Sequence, residues 1–166
     1  MVQGLKHWEF AGEVLPINPN YPEVLGYRCY PTLDEAPGKV DAAIVATGRD
    51  RVLPALESAA ACGARLGVIV SAGFGESDAH GKQLQAGLTA FARRSGMRLV
   101  GPNCLGYMNI AQGIPMSAAA VPQFERIRKG CVGLVSHSAG LGVATVLHYG
   151  LRKGLGLDRK STRLNS

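Results

Sequence analysis

Three short apolar runs restrict this chain to very few architectures. Each is stopped by small or turn-forming residues, and a helix-length stretch separates each from the next. The runs are residues 41–46 (D-A-A-I-V-A), 66–70 (L-G-V-I-V) and 98–100 (R-L-V). The longer two are too short for helices and almost continuously apolar, as strands buried on both faces are. Residues 50–61 read as an amphipathic helix, with Pro54 tolerable in the first turn and Cys62-Gly63 at the end. Residues 78–94 form a second helix, which places Leu84, Leu88 and Phe91 on one side and closes on Ser95-Gly96. Strands alternating with helices at this spacing predict an α/β fold, a parallel sheet with helices on both faces.

Outside this frame the pattern is looser. Residues 1–10 have helical character, with Leu5 and Trp8 three apart. Residues 13–17 read as a strand, stopped by the turn cluster Asn18-Pro19-Asn20. Residues 27–30 read as a short extended piece and 32–36 as a brief helix. Residues 107–129, with Pro115 and Pro122, read as irregular, and 122–129 is taken as a linker. A further strand is expected over 131–135, then a tight turn and a new helix over 141–149.

Both ends carry their own expectations. In a doubly wound fold, a helix placed like residues 1–10 follows a strand and a glycine-rich turn, so the chain reads as cut ahead of Met1. The final segment, Asp158 to Ser166 (D-R-K-S-T-R-L-N-S), reads as the in-frame translation of a sequencing adapter and is set apart from the fold. It holds one Asp against two Arg and one Lys, so without it the net charge falls from +6 to +4.

That charge invites a nucleic-acid reading, but the basic residues are scattered except for Arg126, Arg128 and Lys129, and no aromatics interleave with them. A solvated basic face or a small anionic ligand accounts for the excess. No apolar run approaches membrane-spanning length, and no signal peptide is legible. The four cysteines are widely spaced without metal-site pairing, which favours reduced thiols and a cytoplasmic location.

Parallel sheets bind ligands beyond the carboxyl ends of their strands. Four strand exits here lack bulk: Asn18-Pro19-Asn20, Thr47-Gly48, Ser71-Ala72-Gly73 and Gly101-Pro102-Asn103-Cys104. Several lead to helix N-termini, whose unpaired N–H groups favour phosphate. Turns of an α/β fold need such residues whatever they bind, but four at one edge argue for a ligand crevice.

Four motifs occur in order: I-N-P-N-Y-P-E-V (17–24), S-A-G-F-G-E (71–76), G-P-N-C-L-G (101–106) and V-G-L-V-S-H-S (132–138). In these the chain resembles the alpha part of NDP-forming acyl-CoA synthetases (acetate–CoA ligase, ADP-forming) and their succinyl-CoA synthetase relatives. The resemblance covers nearly all of residues 1–157. It implies a Rossmann-like, doubly wound CoA-binding domain over 1–121, lacking its first strand. It also implies the first strand and helix of a flavodoxin-like second domain over 130–157. In that family acyl-CoA and phosphate yield an acyl phosphate, a histidine takes the phosphoryl group, and ADP or GDP receives it. ATP or ADP and Mg are implied only for the complete enzyme, together with an ATP-grasp beta subunit or fused domain. By the same resemblance Asn18, Pro19 and Asn20 lie near the nucleotide end of coenzyme A. Thr47, Gly48, Ser71, Ala72 and Gly73 line the crevice, Asn103 and Cys104 approach the thiol arm, and Ser136 and Ser138 receive phosphate.

Three departures qualify the carry-over. Asn20 stands where the family often has Lys, which removes a cation. The S-H-S-A-G turn shifts a glycine by one position. The phosphorylated histidine is expected beyond Leu157, and His137 lies in the wrong motif to replace it, so this stretch is expected to be inactive alone. Two other readings compete. One is a non-catalytic CoA-binding or regulatory module, for example of a protein acetyltransferase. The other is a serine hydrolase, because S-H-S-A-G is one residue away from a nucleophile elbow. An elbow needs an acid and a histidine downstream, and only His148 and Asp158 follow.

Overall fold

The computed structural model describes residues 1–118, 127–138, 146 and 148–162. The chain opens with α1 (Val2–His7), followed by a small hairpin of β1 (Glu23–Val24) and β2 (Tyr27–Arg28). Leu25 and Gly26 turn that hairpin, both with positive φ, as a two-residue turn matched to strand twist requires. Next come β3 (Ala42–Val45), α2 (Val52–Ala61), β4 (Leu66–Ile69), α3 (Ala79–Ser95) and β5 (Arg98–Val100). The three strands pair in parallel in the order β3-β4-β5, the α/β sheet read from the sequence.

The helices form where their residues dictate. α2 buries Val52, Leu56 and Ala59, spaced four and three apart on one stripe. α3 is capped by Asp78, whose side chain accepts from the Gly81 N–H at 2.6 Å. It ends at Gly96 in the left-handed region, with Arg93 and Arg94 in the last turn complementing the helix dipole. Leu88 and Phe91 of α3 join Leu56, Ile69 and Phe74 in one apolar core. Gly67 of β4 lies under Leu56 and Leu99, and a Cβ there would strike both side chains. The glycine lets helix and strand approach.

After β5 come β6 (Gly106–Asn109), β7 (Ile114–Ser117), β8 (Lys129–Ser136), α4 (His148–Arg152) and β9 (Leu157–Thr162). The second sheet runs β7-β6-β9-β8; β8 and β9 are parallel and the other pairs antiparallel. Met108, Ile110, Ile127 and Leu157 form its core. No helix of the described residues is long and apolar enough to cross a membrane.

Several details differ from the sequence reading. Residues 13–17 make no regular strand; one parallel bridge joins Ile17 to Tyr30. Pro16, which has no N–H, sits in the middle of the run. Residues 107–117, expected to be irregular, contain most of a hairpin. Pro115 disguised it, but β7 lies at the sheet edge, where a strand tolerates proline. The structure runs β9 through Asp158–Thr162, the segment set apart above, and pairs it with β6 and β8. Of the helix expected over 141–149, α4 accounts for 148 and 149, while 141–145 and 147 lie outside the described residues, as do 122–126 of the expected linker.

Candidate functional site

The exits of β3, β4 and β5 share one edge because the strands are parallel, and short hydrogen bonds tie them together. Ser71 Oγ donates to the Thr47 carbonyl at 2.6 Å, which joins the first exit to the second. The Asn103 N–H donates to the Ser71 carbonyl at 2.9 Å, which joins the second to the third. Asn103 takes a positive φ of 53°, a conformation asparagine tolerates better than most residues. Thr47, Gly48 and Ala72 are exposed along this rim; Ser71, Gly73 and Asn103 are half-buried.

The fourth turn is closed by its own side chain. Asn18 Oδ1 accepts from the Asn20 N–H at 2.9 Å, closing a tight turn, with Pro19 and Asn20 exposed. Asn18 and Thr47 both line one cavity of about 550 Å3, whereas Pro19 and Asn20 do not. Cys104 sits beneath the rim rather than on it. It is fully buried, its N–H donates to the Ile69 carbonyl at 3.2 Å, and its Sγ accepts from the Gly106 N–H at 3.3 Å.

A second layer stiffens the loops. Arg49 Nη1 donates to the Gly73 carbonyl and to Asp78 Oδ2, both at 3.0 Å. Glu76 Oε1 accepts from the Gly73 N–H at 2.8 Å. Burial alone would raise the Glu76 pKa, but the N–H groups of Glu76, Gly73 and Phe74 outweigh it and hold the carboxyl below its usual value. Asp78 is lowered first by the Gly81 N–H and then by Arg49. His80 Nε2 lies 2.5 Å from Asp50 Oδ1, and that bond lowers the Asp50 pKa. The first turn of α3 rests directly on the loop, since a Cβ on Gly81 would collide with the carbonyl of Phe74. Sequence reasoning missed Arg49; its one signal was its place in T-G-R, immediately after a strand. His80 was read as a surface residue, and it is exposed.

Ser136 and Ser138 belong to the end of β8 in the second sheet. Ser136 Oγ accepts from the Ser138 N–H at 3.1 Å and donates to the Ser138 carbonyl at 2.9 Å. They form a turn of their own, and the start of the helix expected after it lies outside the described residues.

The rim presents exposed backbone at small residues, a helix start after Gly48, and on that turn Arg51 and Arg49, the latter paired with Asp78. The CoA binding domain family matches residues 1–110. The chain belongs to this family. It is 37% identical over 152 residues to acetate–CoA ligase [ADP-forming] I of Archaeoglobus fulgidus, covering 90% of this chain and 21% of that protein. It is 32% identical over 157 residues to the alpha subunit of acetate–CoA ligase [ADP-forming] II of Pyrococcus furiosus, covering 95% of this chain and 33% of that subunit. The apo form of the dinucleotide-forming acetyl-coenzyme A synthetase 1 of Ca. Korarchaeum cryptofilum superposes with a TM-score of 0.84. That match has 28% identity and covers 97% of this chain and 34% of that one. The chain thus spans between a fifth and a third of the curated relatives it matches. Its fold is the Rossmann-like fold of that structure.

Proposed function

We propose that the rim formed by Asn18–Asn20, Thr47–Gly48, Ser71–Gly73 and Asn103 binds coenzyme A, and that the domain serves as the CoA-binding portion of an ADP-forming acyl-CoA ligase. The observation that carries this reading is the pair of hydrogen bonds from Ser71 to Thr47 and from Asn103 to Ser71. Together they hold three small-residue exits as one surface, within a family defined by CoA binding. The start of the Gly48–Val52 turn and the neighbouring Arg49 and Arg51 suit the ligand's phosphates. Asn103 reaches toward its thiol arm, with Cys104 supporting that loop from below.

In the complete enzyme β8 begins a succinyl-CoA-synthetase-like domain near Gly130, where Ser136 and Ser138 bind phosphate. An ATP-grasp beta subunit or fused domain supplies ATP or ADP and Mg, and the acyl group is joined to the CoA thiol in the cytoplasm. We expect residues 1–166 alone to bind CoA weakly.

Titration calorimetry with CoA tests the rim. Ala72 is exposed, so Ala72→Trp fills the surface without disturbing the core. The expected result is loss of CoA binding at an unchanged melting temperature. Equal binding by both proteins, or no binding by either at millimolar CoA, rejects the assignment.

A further inference from the structure

The chain carries a net charge of +6, yet the loops at the rim are not basic. Residues 18–20 and 101–104 hold no charged side chain. Residues 47–51 and 71–81 set Arg49 and Arg51 against Asp50, Glu76 and Asp78, with His80 as their remaining ionisable group. All three carboxyls have pKa values held below the ordinary range, so they stay charged at neutral pH. With a neutral imidazole these loops carry a net −1, and an imidazolium brings them to zero. A ligand with several phosphate charges meets an opposing surface until His80 is protonated.

The three acids are compensated differently. Asp78 accepts from the Gly81 N–H at 2.6 Å and pairs with Arg49 at 3.0 Å. Glu76 is held by the backbone, accepting from the Gly73 N–H at 2.8 Å. Asp50 depends on His80, whose Nε2 lies 2.5 Å from its Oδ1; that bond is the chief reason its pKa is lowered, and neighbouring Arg49 adds a smaller attraction. Asp50 stands on the turn between Gly48 and α2, where N–H groups suit a phosphate and a carboxylate repels one. A neutral imidazole can donate the same hydrogen bond, but only the imidazolium cancels the carboxylate charge. His80 lies in the first turn of α3, where the helix dipole disfavours a cation, so Asp50 across the gap and Asp78 on its own loop are the charges that hold the imidazolium. The side chains of His80 and Asp50 are 50% and 66% exposed, which leaves the imidazole in proton exchange with solvent.

We propose that protonation of His80 is linked to CoA binding: the imidazolium neutralises Asp50 beside the phosphate turn, and the rim takes up a proton as it takes up CoA. The inference rests on the CoA reading and adds a regulation by pH to it. Linkage makes the effect reciprocal, so acid tightens CoA and CoA favours the imidazolium. Histidine changes charge between about pH 5 and 8, an interval over which the three carboxyls are already ionised, so His80 is the rim side chain that responds there. Affinity is therefore highest on the acidic side of neutral and falls as pH rises. Because the pair is exposed, added salt weakens the linkage.

Calorimetric titration of residues 1–166 with CoA at pH 6 and at pH 8, in buffers of different ionisation enthalpy, tests it. The dissociation constant is expected to be about threefold lower at pH 6, the scale of one exposed charge pair, with net proton uptake on binding. A phosphate monoester on the ligand also titrates near pH 6, so the reference is His80→Gln. In that variant the pH dependence shrinks to the ligand's own, and affinity stays near the pH 8 value of the unsubstituted chain. Asp50→Asn leaves no charge for the imidazole to cancel, and at pH 8 it is expected to bind CoA more tightly than the unsubstituted chain. A merely structural Asp50–His80 pair would give the opposite result. Both side chains are half or more exposed, so both variants keep the fold. Equal pH dependence in His80→Gln and the unsubstituted chain overturns the inference while leaving the CoA reading in place, as does weaker binding by Asp50→Asn at pH 8. No binding by any of these proteins at millimolar CoA, at either pH, overturns both.

Discussion

β4 (L-G-V-I) and the middle of β8 (V-G-L-V, residues 132–135) are written in nearly the same residues, yet they live in opposite surroundings. β4 sits between β3 and β5 under α2 and α3, and Gly67, Val68 and Ile69 are all buried. Among the described residues β8 is the outer strand of its sheet, paired with β9 alone, and most of it is exposed, with Val135 at 80%. A run of apolar residues specifies an extended segment, whereas its position in the sheet order decides whether the strand reaches a core. The β3-β4-β5 region gathers its core from strand and helix neighbours close in sequence. The second sheet joins β6 to β9 across some fifty residues and has a smaller cluster among the described residues.

The contrast can be tested by substitution. Leu56→Ala opens a void beneath β4, and denaturant unfolding should show a loss of about 2–5 kcal/mol. A cost below that of an exposed-residue change would mean the first core is not the stabilising one. Gly81→Ala presses a methyl group onto the Phe74 carbonyl and should cost about 1–3 kcal/mol, with weaker CoA binding because the 71–81 loop moves. Ser71→Ala removes the donor to Thr47 and should cost about 0.5–1.5 kcal/mol, with a larger effect on calorimetric CoA affinity than on melting temperature. The smallest effect belongs to Val135→Ser, expected within about 0.5 kcal/mol in the same unfolding assay. A larger loss there would show that β8 is covered after all.

Acid offers a different separation of rim from core. Asp50, Glu76 and Asp78 all have pKa values lowered in the folded chain. Their contribution is therefore complete above the unfolded carboxylate values near 4 and is lost as pH falls through the lower folded values. Protection factors of the Gly73 and Gly81 amides, which bond to Glu76 and Asp78, should fall below about pH 4, while amides of β4 stay protected. Simultaneous loss at both places would mean that the rim and the core unfold as one unit.

Much of the rim was legible before any coordinates. Thr47-Gly48, Ser71-Ala72-Gly73 and Asn103 were found because small residues after an apolar run mark a strand exit, and parallel strands put their exits on one edge. Arg49 was not legible, because its partners, the Gly73 carbonyl and Asp78, lie 24 and 29 residues away. The depth of Cys104 was hidden for a related reason: nothing in G-P-N-C-L-G tells which of two adjacent residues faces out. The hairpin of β6 and β7 escaped because Pro115 argues against a strand until its edge position is known.

Local chemistry alone determined the β3-α2-β4-α3-β5 alternation, the stop at Gly96, and the small-residue turns that end those three strands, since these depend on neighbours within a few residues. Tertiary structure decided which apolar strand is buried and which cation braces the rim. Those properties depend on contacts between residues far apart in the chain, and a periodicity of two or 3.6 residues carries no record of them.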